Sequence, residues 1–318
     1  MTARVLVTNE GSGTLSVIDP ATRTVVATIA LGKRPRGVQV GPSGDVAYVA
    51  LSGSPIAGPG ADARTLPPAD RAADGVGVVD LRANRLVRMV RVGNDPEQLA
   101  VSADGRRLVV ANEDSGTASL IDIKTGKLLA VMPVGREPEG VALSPDGGLI
   151  AVTSEADDQL TFVETSTMTV TASVHVGARP RSVVFLPDSS RAFVTLENDA
   201  AVAIVDVAQR TTIGQIKIPG DNARPMGLAL SKDGMRLYVT TGRGQQVVGI
   251  DTALGTSVAT AVVGPRPWGV ALAPDGRTLY TANGPSNDMS VVDATTLQVL
   301  ARIPVGDRPW GVAMAGAR

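Results

Sequence analysis

Arginine and tryptophan recur beside a set of regularly spaced prolines. The prolines are Pro35, Pro96, Pro138, Pro180, Pro225, Pro267 and Pro309. The residues before them are Arg34, Asp95, Glu137, Arg179, Arg224, Arg266 and Arg308, and those after them are Arg36, Glu97, Glu139, Arg181, Met226, Trp268 and Trp310. A guanidinium offers a planar fork of donors to a carboxylate or phosphate, and an indole offers a flat face for stacking. The only two tryptophans share one repeat position in consecutive units, and the four acids fall in two consecutive units. Arg34, Arg36, Arg179, Arg181, Arg224, Arg266, Trp268, Arg308 and Trp310 are therefore the candidate ligand-binding residues, suited to a small planar anion. The competing structural reading is that these arginines pair with the neighbouring acids while the indoles pack over adjacent units.

Other chemistries find less material. There is no cysteine, which excludes disulfides, thiolate nucleophiles and thiolate metal sites. A single histidine, His175, cannot build a multi-histidine metal centre, and it is expected to face solvent at the end of an outer strand. Acidic loop pairs such as Glu113-Asp114 and Asp157-Asp158 lack the spaced oxygen ligands of a calcium loop, so no metal or other cofactor is expected. Asp19, Asp80, Asp122, Glu164, Asp206, Asp251 and Asp293 each open a hairpin, where a carboxylate caps backbone N–H groups in an Asx-turn.

The elements that must position the proline ring follow from its period. Successive anchors lie 61, 42, 42, 45, 42 and 42 residues apart, the range of a four-stranded propeller blade. Each unit reads as strand a after the proline (Gly140–Ser144), a Pro-Asp-Gly type turn (Pro145–Gly147), and strand b (Leu279–Asn283). Strand c (Met289–Asp293) and strand d (Val299–Ile303) complete it. Hydrophobic residues at 43% supply a core built from Val, Leu, Ile and Ala, since aromatics are only 3%. Thirty-five glycines and 21 prolines suit many short strands joined by tight turns.

After Pro309 the sequence provides only a strand a, Trp310–Met314, whereas the first residues open on a strand b, Val5–Asn9. The two fragments sum to one blade. The expected fold is all-β: one domain over 1–318, a seven-bladed propeller of four-stranded antiparallel blades. Its C-terminal strand a joins the N-terminal strands b to d. The 61-residue spacing places an insertion at Ser52–Asp74, in a b-to-c loop on the same face as the arginines, where an ordered partial lid is expected.

Val5-Leu-Val-Thr-Asn9, Tyr238-Val-Thr-Thr241 and Tyr280-Thr-Ala-Asn283, with the Pro-x-Gly-Val and Ser-Pro-Asp-Gly signatures, resemble the Tyr-Val-Thr-Asn (YVTN) β-propeller repeat family over essentially the whole chain. The resemblance implies a bacterial or archaeal protein, commonly exported, hence a periplasmic expectation. Some members are linked to quinone-cofactor (PQQ) oxidation pathways, and others are surface-layer or binding proteins. Asp122–Leu129 is similar to the docking motif of quinoprotein dehydrogenases but lacks its tryptophan, and those enzymes have eight blades.

A net charge of −1 supplies no global field toward nucleic acid or membrane, no apolar run reaches membrane-spanning length, and no signal peptide is visible. The expectation is a non-catalytic scaffold binding a small anion or a partner protein at the channel mouth. The first alternative is a lactonase- or lyase-type propeller enzyme using Glu97 or Glu139 as base. The second is single-stranded nucleic acid stacked on Trp268 and Trp310, which a merely local positive charge suits less well.

Overall fold

In the computed structural model, which describes residues 2–56 and 65–316, 28 strands form seven four-stranded antiparallel sheets. We number the blades from the first proline anchor. Blade one is β4 (Pro35–Val40), β5 (Val46–Leu51), β6 (Gly75–Asp80) and β7 (Arg85–Val90). Blade two is β8 (Pro96–Val101) to β11 (Leu128–Pro133), and blade three is β12 (Pro138–Leu143) to β15 (Thr169–His175). Blade four is β16 (Pro180–Phe185) to β19 (Thr211–Lys217), and blade five is β20 (Leu228–Leu230) to β23 (Thr256–Val262). Blade six runs from β24 (Pro267–Leu272) to β27 (Val299–Pro304). Blade seven joins β28 (Pro309–Ala315) to β1 (Arg4–Asn9), β2 (Thr14–Asp19) and β3 (Thr24–Ala30). Its closure pairs Met314 with Val5, Val312 with Val7 and Pro309 with Asn9.

Each blade is too thin to bury its own faces, so the core lies between blades. One such layer sets Leu160, Phe162 and Val174 of blade three against Val183, Phe185 and Val194 of blade four. The innermost strands approach so closely that a Cβ at Gly140 would come within 2.2 Å of the Arg181 carbonyl oxygen. The glycine of the Pro-x-Gly-Val signature is there for that contact.

The Thr and Asn of the repeat motif have separate structural duties. The Thr153 hydroxyl accepts from the Gly140 N–H in its own blade at 2.7 Å and donates to the Arg181 carbonyl of the next blade at 2.9 Å. Thr8, Thr195 and Thr240 donate likewise to the carbonyls of Arg36, Met226 and Trp268. Each receiving carbonyl belongs to the residue after an anchor proline, so these latches position the mouth. Asn9, Asn112 and Asn283 donate to the strand-c hydroxyls of Ser16, Ser119 and Ser290, tying strand b to strand c.

The turn aspartates cap backbone N–H groups, as Asp293 does for Thr295 and Thr296 at 2.9 and 2.7 Å. His175 is exposed at the end of β15. The insertion leaves blade one after Leu51 and returns at Gly75. Its base is held by Gly53 N–H on Asp74, Asp70 N–H on the Gly53 carbonyl, and Arg71 on Asp114. The rest of the expected lid, residues 57–64, lies outside the described residues.

Candidate functional site

The d-to-a loops converge on one face, and their geometry is repeated. The residue before the proline takes a left-handed backbone in six blades, at Arg34, Asp95, Glu137, Arg179, Arg266 and Arg308, with φ between 40 and 58°. Side chains at that position pay for this conformation in backbone strain, and it is retained around the whole mouth except in blade five. There the loop is longer, and Asn222 takes the left-handed conformation instead.

A second ring, which the sequence reading did not assemble, lies against the first. The residue after strand b donates its N–H to the carbonyl of the pre-proline residue, as Glu113 does to Asp95 at 2.8 Å and Glu197 to Arg179 at 3.0 Å. Glu10, Glu113, Glu155 and Glu197 occupy this position in blades seven, two, three and four. Counting one residue past each strand b would have revealed them. The sequence reading weighed Glu113 only as a loop acid.

Most of the candidate arginines are bound to these acids. Arg34 meets Glu10 at 2.9 Å and the Ser54 carbonyl at 2.9 Å. Arg36 contacts Glu97 and lies 3.8 Å from Glu113. Arg181 is buried among Glu139 at 3.0 Å, Glu197 at 2.7 Å and Glu155. Arg179 spans Glu155 and Glu197 at 2.9 and 3.0 Å. Asp95, Glu97 and Glu113 bring carboxylate oxygens within 4.8 Å of one another. Asp95 also accepts from Ser52, while Arg34 and Arg36 counter the remaining charge. Burial, then the charge of Glu139, pushes Glu113 up to about 7, against the pull of Arg36. Burial also raises Glu155 well above the usual carboxylate range. Glu197 goes down: burial raises it, but Arg181 outweighs that.

The other sector is different. Trp268 and Trp310 stack with ring centres 5.5 Å apart and planes 25° apart. Trp310 is buried beneath this stack and Arg36, whose guanidinium lies 5.1 Å from its centre, while Trp268 is half-buried. Arg181 and Arg266 flank Trp268 at 5.4 and 5.8 Å. Among the described residues Arg266 makes no ion pair, and burial together with nearby Arg243 lowers its pKa. Arg308 is exposed, and Arg224 donates to Asn198 at 2.7 Å. The mouth is therefore uneven: acids and their ion-paired arginines lie mainly over blades one to four, with Glu10 of blade seven reaching Arg34, while Arg266, Arg308 and the stacked indoles belong to blades six and seven.

Residues 61–191 match the model of the YNCE-like β-propellers. That match covers part of the chain and is consistent with the YVTN-type repeat. No curated protein matches the sequence. Solved structures similar to this chain include a functionally unknown protein from Desulfotomaculum acetoxidans DSM 771, with TM-score 0.82 and 15% identity over 99% of each chain. A putative 6-phosphogluconolactonase from Bacteroides uniformis ATCC 8492 gives 0.80 and 19% over 99% of this chain and 100% of that one. The dihydro-heme d1 dehydrogenase NirN in complex with DHE gives 0.69 and 17% over 98% of this chain and 74% of that one. At these identities this propeller shares their fold alone.

Proposed function

We propose that this propeller is a binding module that takes a small planar anion on the Arg/Trp sector of its mouth. The observation that carries the reading is where its unsatisfied groups lie. Among the described residues, the buried side-chain polar atoms without a hydrogen-bond partner are Arg36 Nε, Trp310 Nε1 and the carboxylate oxygens of Glu97, which meets Arg36 in an ion pair. All belong to the residue following an anchor proline, in consecutive blades seven, one and two. Native interiors rarely leave buried donors without a partner, so each such group calls for one, an ordered water or a bound ligand. Two of these are donors, and Arg266 nearby carries a charge its surroundings disfavour. An anion lying against Trp268 would meet the Arg266 charge, in the sector that also holds the two orphaned donors.

A second reading is favoured by Glu113. A carboxyl pushed up to about 7 can exchange a proton near neutral pH, as a lactone hydrolase requires. The likeness to a putative 6-phosphogluconolactonase accords with that alternative. Nucleic acid stacking on both indoles is disfavoured, since Trp310 is already covered.

Both tryptophans sit in the proposed site, so intrinsic fluorescence reports it directly. Titration with aromatic dicarboxylates should change the emission, and Arg266→Ala with Arg308→Ala should weaken binding about tenfold or more. Unchanged affinity in that double variant would overturn the anion site. Lactone hydrolysis lost in Glu113→Gln would establish the enzyme instead.

A further inference from the structure

The outer strands of all seven blades share one device. Each carries a β-bulge, centred on Val26, Val87, Leu129, Thr171, Ile213, Val258 or Leu300. A bulge distorts a free edge and hinders pairing with a foreign strand. Strands β3, β11 and β23 rely on it without any charged residue in the strand. The arginines on β7 and the cations flanking β7 and β11 are therefore more than edge protection needs. Residues 81–94 hold Arg82, Arg85, Arg88 and Arg91 with no acid, and residues 123–136 hold Lys124, Lys127 and Arg136 with no acid, in a chain of net charge −1.

On β7 these cations are interleaved with exposed apolar side chains, and those of blade two flank the apolar strand β11. On β7, Val87 and Met89 are 50% and 39% exposed, and on β11 Leu129 and Val131 are 49% and 52% exposed. The two blades form one surface there, because Arg88 Nη2 donates to the Ile123 carbonyl at 2.8 Å. Arg85 makes no ion pair among the described residues, whereas Arg82 meets Asp45 at 2.8 Å. Arg136 likewise pairs with Asp157 at 2.7 Å, and Asp80 and Asp122 beside the patch are engaged with backbone N–H groups of their turns.

We propose that this rim of blades one and two docks an acidic segment of a partner protein that also carries apolar side chains. Charge complementarity selects the acid, and the exposed Val, Met and Leu take the apolar residues between. The bulges hinder simple strand addition, so recognition runs through side chains. The patch is two narrow strand edges on adjoining blades, which fits a length of polypeptide and not the plane of a membrane.

The test uses the whole chain and a fluorescein-labelled peptide alternating glutamate and leucine, followed by anisotropy. Binding should fall with added salt and weaken about tenfold in Arg85→Glu/Arg88→Glu. Arg302→Glu, on the outer strand of blade six, should leave it unchanged. Thermal melts of both variants establish that they are folded. Equal binding by the double variant would overturn the proposal. So would association with phosphatidylserine-containing vesicles in the absence of peptide binding.

Discussion

Replacing Thr153 by valine keeps the shape of the side chain and removes one hydroxyl. That hydroxyl accepts from Gly140 N–H at 2.7 Å and donates to the Arg181 carbonyl at 2.9 Å, and all three groups are buried. The substitution strands one donor and one acceptor between blades three and four. Each orphaned group costs about 1–3 kcal/mol, giving roughly 2–4 kcal/mol for the pair, allowing for partial relaxation. In a chain of this size that corresponds to a fall in melting temperature of roughly 4–8 °C. Thr153→Ser retains both hydrogen bonds and loses one methyl, so it should cost only about 1 kcal/mol. Urea unfolding and calorimetry measure both. If valine is as stable as threonine, or serine as damaging as valine, the hydroxyl is not a latch and the explanation of the repeat motif is wrong.

Arg181→Met leaves Glu139, Glu155 and Glu197 facing one another in a buried sector, and urea titration should show a loss of about 3–5 kcal/mol at neutral pH. The Glu113 carboxyl is raised above its unfolded value, so the folded state holds the extra proton and its contribution to stability should fall as pH rises from about 4.5 to 7, with Glu155 adding a fall of the same sign. Glu113→Gln should flatten that slope and raise the urea midpoint at pH 8, and an unchanged slope would assign it to another group. Deleting residues 305–318 removes β28 from blade seven and exposes β1 and two flanking blades. The expected product has lost most of its roughly 5–15 kcal/mol of stability and fails to give a cooperative melt.

The architecture was legible because it is periodic. Seven prolines and complementary end strands specify the blades, and the insertion boundaries at Leu51 and Gly75 coincide with the excess spacing in blade one. Pairing across the mouth was harder to see. Arg36 and Arg181 pair with Glu97 and Glu139 at their own repeat position, as the competing structural reading has it, but also with Glu113 and Glu155, which the repeat aligns only at a different offset. The stack of Trp268 on Trp310 follows from blades six and seven being neighbours, but the burial of Trp310 depends on Arg36 reaching across from blade one. Periodicity locates a position in a ring; it does not say which neighbour a long side chain leans toward.

The division of the mouth is tested most directly by recording tryptophan emission while an aromatic dicarboxylate is added to wild type and to Arg266→Ala/Arg308→Ala. Saturable change in the wild type at low salt, weakened about tenfold in the double variant, is the predicted result. Saturation with the same affinity in both proteins would contradict it.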